Sequence, residues 1–338
     1  MAQSEKNGEP PGSKGNAAKQ AASGRGSIST PRGSNSPKVT SASTPALLGE
    51  SPFWVERMHA LLYVDILGSE VRRLRHTDKH GESIVKFDEA ITFVVPVEGK
   101  EDKFAIGQGN DIVLVTWDGH SQKPPREVLI TVGQGRKNKV TVGKVDPSGR
   151  LWIGTSDHLD PEARTSSTRG GLFSLDRGRQ LKKHVGDISG CYGLEWSLDG
   201  KTMFFVEPLK KTVDAFNFDA EKGELSNRRV LLDYTNKMRG EPRGLTIDEE
   251  GKLWVASFGG SQVLRVDPES GEVMKRLPVP CRDVTNVAFG GDDMEDLFVT
   301  TCSSRLEPSE RNAYPGSGTT FRVTDLGVKG TRARHFVL

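Results

Sequence analysis

Long apolar runs are missing from this chain of 338 residues: no stretch approaches the roughly 18 apolar residues of a membrane-spanning helix, which excludes a helical membrane protein. Cysteine is scarce. Cys191, Cys281 and Cys302 give an odd count with no CxxC spacing, which argues against a disulfide framework or a paired-cysteine metal site. The N-terminus lacks the apolar core of a secretory signal, so the expected setting is the reducing cytoplasm, with the nucleus also open. Export by another route would leave room for one Cys281–Cys302 bridge. Neither GxSxG nor a P-loop occurs, which removes the usual signatures of serine hydrolases and nucleotide-binding enzymes. Seven histidines show no zinc-ligand pattern; His76 and His80 stand four apart in a polar RHTDKH stretch with no third ligand nearby.

Strong charge of one sign is also absent, the net formal charge being +2. Residues 1–46 hold six basic side chains (Lys6, Lys14, Lys19, Arg25, Arg32, Lys38) against Glu5 and Glu9, so this tail carries +4 and the remainder −2. A folded part that is nearly neutral offers no basic face for nucleic acid. The tail itself is rich in Gly, Ser, Pro, Ala and Lys, with Met1, Ile28 and Val39 as its large aliphatic side chains. It cannot bury enough apolar area to offset its ordering entropy, so it is expected to be disordered. Thr30–Pro31, Ser36–Pro37 and Thr44–Pro45 have the form of proline-directed phosphorylation sites, and the tail could serve a protein partner.

Turns, by contrast, are plentiful, with Gly 38 and Pro 18. The stretch Pro242–Val273 sets the pattern: short β-runs at Leu245–Ile247, Leu253–Ala256 and Val263–Val266, separated by polar turns at Glu249–Gly251, Gly259–Gly260 and Asp267–Gly271. Related copies read GKVDPSGRLWIGT from Gly143, GLEWSLDGKTMFFV from Gly193, NVAFGGDDMEDLFVT from Asn286 and SPFWVERMHALLYVDILGSEVRRL from Ser51, with a fainter copy through Phe104–Thr116. Their equivalent starts fall near 51, 97, 143, 193, 244 and 286, steps of about 42 to 51 residues, the size of a four-stranded blade. The expectation is an all-β, six-bladed β-propeller over 47–338. Leu47–Leu48 and Gly318–Val323 are candidates for the closing blade, and Thr331–Leu338 for a last edge segment. Trp54, Trp152, Trp196 and Trp254 recur at blade positions that suit packing between neighbours. A polar insertion, Ser156–Thr168, has the composition of a loop or lid.

GESPFW at Gly49, LLYVDI at Leu61, GKVDPSGRLWIGT, GLEWSLDGKTMFF, GKLWVA at Gly251, VLRVDPESG at Val263 and LGVKG at Leu326 together resemble the regucalcin/gluconolactonase (senescence marker protein) family over almost all of 47–338. The resemblance implies a six-bladed propeller holding one divalent cation, calcium or zinc, through Glu, Asn, Asn and Asp at the top of the channel. It also implies hydrolysis of sugar lactones, the metal polarising the carbonyl and activating water. On this chain the first ligand position is Glu50. The other three meet Thr141, Tyr192 and Arg243, the third through a DISGCYGL segment two residues longer than the family pattern.

An arginine at the fourth position cannot deprotonate. Against a dication at roughly 4 Å it is repulsive by about 8 kcal/mol at an effective dielectric near 20. The expected reading is a divergent member, with an altered metal site and no resident cofactor, that binds a small ligand or a partner. Arg243 could pair with Glu50 and plug the channel. Alternatively Lys139, Thr141, Tyr192 and Arg243 could hold a sugar acid, a lactone-like molecule or phosphate. The competing reading is a metal-dependent sugar lactonase in which the longer loop brings Cys191, Asp187 or Glu241 to help Glu50 hold calcium or zinc.

Overall fold

The short apolar runs form 24 strands in this computed structural model, which describes residues 36–75, 81–133, 138–157 and 169–338. Strand β1 (Lys38–Ser41) comes first. The first blade is β2 (Gly49–Val55), β3 (Ala60–Asp65), β4 (Glu70–Arg75) and β5 (Glu82–Lys86); the second is β6 (Ile91–Pro96), β7 (Lys103–Gln108), β8 (Asp111–Thr116) and β9 (Arg126–Thr131). The third is β10 (Lys139–Val145), β11 (Leu151–Ser156), β12 (Gly170–Leu175) and β13 (Leu181–Ile188), and the fourth β14 (Gly193–Trp196), β15 (Thr202–Glu207), β16 (Thr212–Asp219) and β17 (Glu224–Asp233). The fifth is β18 (Glu241–Ile247), β19 (Leu253–Phe258), β20 (Gln262–Val266) and β21 (Val273–Pro278). In the sixth, β22 (Val284–Gly290), β23 (Asp296–Thr301) and β24 (Phe321–Thr324) are completed by β1. Every sheet is antiparallel and four-stranded, and the ring is a six-bladed β-propeller.

Closure differs from the sequence expectation. The strand that completes the sixth blade is β1, paired Lys38↔Thr324 through Ser41↔Phe321, so the propeller reaches into the segment expected to be disordered. Residues 1–35 of that tail, including Thr30, lie outside the described residues. Val39 is half-buried and its neighbours are mostly exposed. The strand is therefore held by ladder hydrogen bonds on the open edge of β24 rather than by apolar burial, which is why composition concealed it. Gly318–Val323 overlaps β24, while Leu48 contributes a single bridge to Cys302.

Large aromatic side chains join neighbouring blades, as their spacing suggests. Trp152 meets Trp196 edge-on at 6.1 Å between ring centroids, Trp254 meets Phe289 at 5.8 Å, and Trp54 stacks on Phe298 at 5.6 Å. The VDPSGRLW and IDEEGKLW copies share one device. Asp146 accepts the amides of Ser148 and Arg150 with one oxygen and the Trp152 indole N–H with the other, at 2.9 Å. Asp248 does the same for Glu250, Lys252 and Trp254. Each buried carboxylate thus fixes a turn and orients the blade-joining tryptophan.

The last residues are not a sheet edge. Glu249 donates its amide to Lys329 and Gly330 to Met294; further on, Phe336 donates to Pro96 and Val337 to Gly149. The segment therefore straps blades five and six to blades two and three, with Phe336 fully buried. Beneath it, Arg332 and Arg334 share a channel cavity of about 60 Å³ with Lys144, whose ammonium pairs with Glu195 at 2.6 Å.

Removing residues 1–41 should cost about 2–4 kcal/mol more in urea unfolding than removing residues 1–35, the net worth of a four-residue ladder. A second expectation concerns pH. His184 lies against Trp152, 4.3 Å between ring centroids, and its Nε2 meets the Ser174 hydroxyl at 2.8 Å. Burial, with Lys182 and Arg150 nearby, lowers its pKa from 6.5 to about 4. The fold thus holds this imidazole neutral while the unfolded chain takes up the proton, so stability falls as pH drops from 6.5 towards 4. Thermal unfolding across that window should show a shallower decline in His184→Gln.

Candidate functional site

Six inner strands converge on the channel, and five of them break their ladder near one end. The shifts fall between Glu50 and Phe53, Ile91 and Val94, Val140 and Val142, Pro242 and Leu245, and Val284 and Asn286. A bulge re-aims the side chains beside it. Here the result is a small cavity of about 10 Å³ walled by Glu50, Thr141, Tyr192, Arg243, Phe258 and Thr285. Four residues that the sequence places at the family's ligand positions therefore do meet.

Lys139 does not line this cavity. It opens β10 opposite Ser156, and its ammonium lies towards Gly109 on the second blade. Cys191 is buried, with its thiol towards the Gly193 carbonyl, and its own carbonyl accepts the Thr141 hydroxyl at 2.5 Å. Neither Asp187 nor Glu241 lines the cavity; Glu241 lies 3.9 Å from the Lys211 ammonium. All three cysteines are free and buried, so Cys281 and Cys302 form no bridge. Ser156 and Asp157 are described, but the rest of the expected lid, 158–168, lies outside the described residues, as do His76, His80 and His158.

Arg243 is 4% exposed and sits between two rings, its guanidinium carbon 4.4 Å from the Tyr192 centroid and 4.6 Å from that of Phe258. Arg305 covers Phe258 in turn at 5.0 Å, so ring and guanidinium alternate through four layers. Desolvated cation–π contacts contribute about 2 kcal/mol each, which offsets much of the cost of burying the charge. Tyr192 also hydrogen-bonds with Arg243 and Ser156; burial raises its pKa and the Arg243 charge opposes that rise. Among the described residues the Arg243 Nε meets no hydrogen-bond partner.

The expected plug of Glu50 against Arg243 is corrected by these positions. Among the described residues no carboxylate forms an ion pair with Arg243. Glu50 instead accepts a hydrogen bond from the Asn286 amide at 2.8 Å and from the Ser51 N–H at 3.1 Å. Burial raises its pKa; Asn286, Ser51 and, more weakly, Arg243 oppose the shift. Asn286 reaches Glu50 because Gly244 is bare: a Cβ there would fall 1.9 Å from the Asn286 side chain. Sequence reasoning missed Asn286, Phe258 and Arg305. For Asn286 the available signal was its place at the start of a blade copy, matching Glu50 and Arg243.

Six four-stranded sheets whose inner strands bring polar side chains together at one end of the channel define the class of protein, a β-propeller. A sequence model of the SMP-30/gluconolactonase/LRE-like region matches residues 48–303. The regucalcin of Danio rerio is 35% identical over 283 residues, covering 84% of this chain and 92% of that protein. Among solved structures, a luciferin-regenerating enzyme superposes with a TM-score of 0.84 at 31% identity, covering 90% of this chain and all of the other. A calcium-binding protein, regucalcin, from Agrobacterium tumefaciens gives 0.77 at 25% identity, covering 87% and 95%. The chain belongs to the SMP-30/gluconolactonase/LRE-like family.

The divalent cation that this family implies does not fit the residues present. One carboxylate, Glu50, faces the cavity, and one of its oxygens, Oε2, already accepts both the Asn286 and the Ser51 N–H. Thr141 spends its hydroxyl proton on Cys191, and Arg243 contributes a fixed positive charge to the same wall. Among the described residues no three His, Cys, Asp or Glu side chains gather to share a metal.

Glu50→Gln tests this electrostatic picture. With its folded pKa raised, the Glu50 carboxyl is bound to its proton more tightly in the fold than in the unfolded chain, so its contribution is full below 4.5 and is lost as pH rises through the folded value. Compared with Glu50→Gln by thermal unfolding, the natural chain should lose ground as pH rises above 4.5.

Proposed function

We propose that this propeller is a divergent family member that binds a small anionic molecule or a protein partner and does not hydrolyse lactones through a divalent metal. One observation carries the reading: the buried Arg243 guanidinium, caged by Tyr192 and Phe258, stands in the wall where a metal-dependent centre needs an oxygen ligand. A cation held permanently at that place repels a dication and cannot act as a general base. It suits instead a carboxylate or phosphate oxygen. The remaining cavity, about 10 Å³, has room for one water, so a sugar acid must displace a side chain of the cage to reach Arg243. Three unpaired buried thiols support a cytoplasmic or nuclear setting.

The decisive experiment pairs metal analysis with exchange of the cation. Purified full-length protein should carry no stoichiometric calcium or zinc and should release no acid from gluconolactone above the spontaneous rate when either ion is added. Arg243→Asp should gain measurable calcium affinity. Titration with gluconate and with phosphate then separates the two binding roles: heat that disappears in Arg243→Gln assigns a small anion, and its absence in both proteins assigns a partner. Stoichiometric metal together with metal-dependent hydrolysis by the natural chain would establish the lactonase reading in place of this one.

A further inference from the structure

The segment between the closing strand β1 and the first blade is gripped by a buried charge cluster. Asp65, 2% exposed, accepts the Leu47 and Leu48 amides at 2.8 and 3.0 Å. Arg72, 6% exposed, contacts Asp65, Glu70 and Glu82, and donates to the Thr44 and Pro45 carbonyls at 3.4 and 3.3 Å. Glu82, its side chain 8% exposed, accepts the Tyr63 hydroxyl with one oxygen and both the amide and the hydroxyl of Thr44 with the other. Thr44 itself is exposed, lies in no strand or helix, and precedes an exposed Pro45. The residue is therefore exposed while its hydroxyl is part of the clasp.

We propose that Thr44 is a modification site, and that a phosphoryl group placed on it opens the seam between the first and sixth blades. A proline-directed protein kinase would supply the chemistry: the Thr44 oxygen bonds to the γ-phosphorus of ATP, the bond to the β-phosphate bridging oxygen breaks, ADP leaves, and the hydroxyl proton passes to the kinase base. The product carries a charge of about −1.5 to −2 against the buried carboxylate of Glu82. Arg72 Nη1 already meets the Thr44 hydroxyl at 3.4 Å and also faces Glu82, while its other nitrogens serve Asp65 and Glu70, so a phosphoryl group either draws the guanidinium away from those carboxylates or is left facing Glu82 unneutralised. Either outcome frees the segment from the first blade. On its other side that segment is tied to the sixth blade by Ala42 N–H to the Thr320 carbonyl, Ala46 N–H to that of Gly318, and Thr320 N–H to the Ser43 hydroxyl. Ser36, before β1 and exposed, enters no such network and is the silent comparison.

The free thiols report the opening locally. Cys302 pairs with Leu48 across the seam and Cys281 lies beside it, whereas Cys191 is packed between the third and fourth blades. Full-length protein would be treated with a proline-directed kinase and Mg-ATP, the phosphate located by mass spectrometry, and thiol labelling followed residue by residue. Phospho-Thr44 protein and Thr44→Glu should label at Cys302 and Cys281 on the order of tenfold faster than the untreated chain, with Cys191 still protected and the unfolding midpoint lowered. Thr44→Val, which loses the hydroxyl bond to Glu82 but keeps the amide bond and adds no charge, should label far more slowly than Thr44→Glu. Failure of the kinase to modify Thr44 in the folded protein overturns the proposal. So does equal labelling in Thr44→Glu and Thr44→Val, or exposure of all three thiols together, which would mean global unfolding.

Discussion

Closure of the ring is the constraint from which the rest follows. Six sheets that each leave an apolar face uncovered bury those faces only by packing side by side, and the circle ends where the chain's two ends meet. That meeting is made by backbone pairing of β1 on β24, without a covalent link. The same closure drives six inner strands towards one axis. Side chains from different blades then share a space so small that a single charge sets its chemistry.

Arg243 is that charge. A guanidinium can be buried here without an ion pair because two blades supply ring faces to its two sides, Tyr192 from the approach to β14 and Phe258 from the end of β19. The arrangement leaves Glu50 in want of a partner, which Asn286 provides from the sixth blade and Gly244 permits by having no side chain. Cation and carboxylate thus share one wall without an ion pair, the one held between rings and the other hydrogen-bonded by Asn286 and Ser51. Arg243→Asp removes the repelling charge but leaves the Asn286 N–H on Glu50 Oε2, so a site of full affinity asks for more than that one exchange.

The blade pattern was legible because it is local: Asp, Gly and Trp recur at fixed offsets, and one carboxylate per turn does the same work in each copy, as Asp146 and Asp248 do. The meeting of Glu50, Thr141, Tyr192 and Arg243 was legible through the family resemblance, whose four ligand positions they occupy. Their pairing was not. Opposite charges on facing strands suggest an ion pair, and only the three-dimensional ring reveals that Phe258 and Asn286 are nearer and better partners. Strand β1 escaped notice for a related reason: its stability comes from the edge it completes some 280 residues away in sequence, as the Thr40 hydroxyl bond to the Arg322 carbonyl illustrates. Its own four residues carry little apolar signal.

Glu50 and Asn286 lie on opposite sides of the seam that β1 closes, one on the first blade and one on the sixth. Thr285, which also lines the cavity, donates its hydroxyl to the Gly49 carbonyl across the same seam at 2.6 Å. The contacts that hold the site's carboxylate are therefore contacts between the two blades whose junction depends on the chain's N-terminal strand. Across the cavity, Thr141, Tyr192, Arg243 and Phe258 belong to the third, fourth and fifth blades, which follow one another along the chain. Loosening the seam would release Glu50 from Asn286 while leaving the caged arginine in place, so the electrostatics of the channel mouth and the closure of the ring are set by one junction.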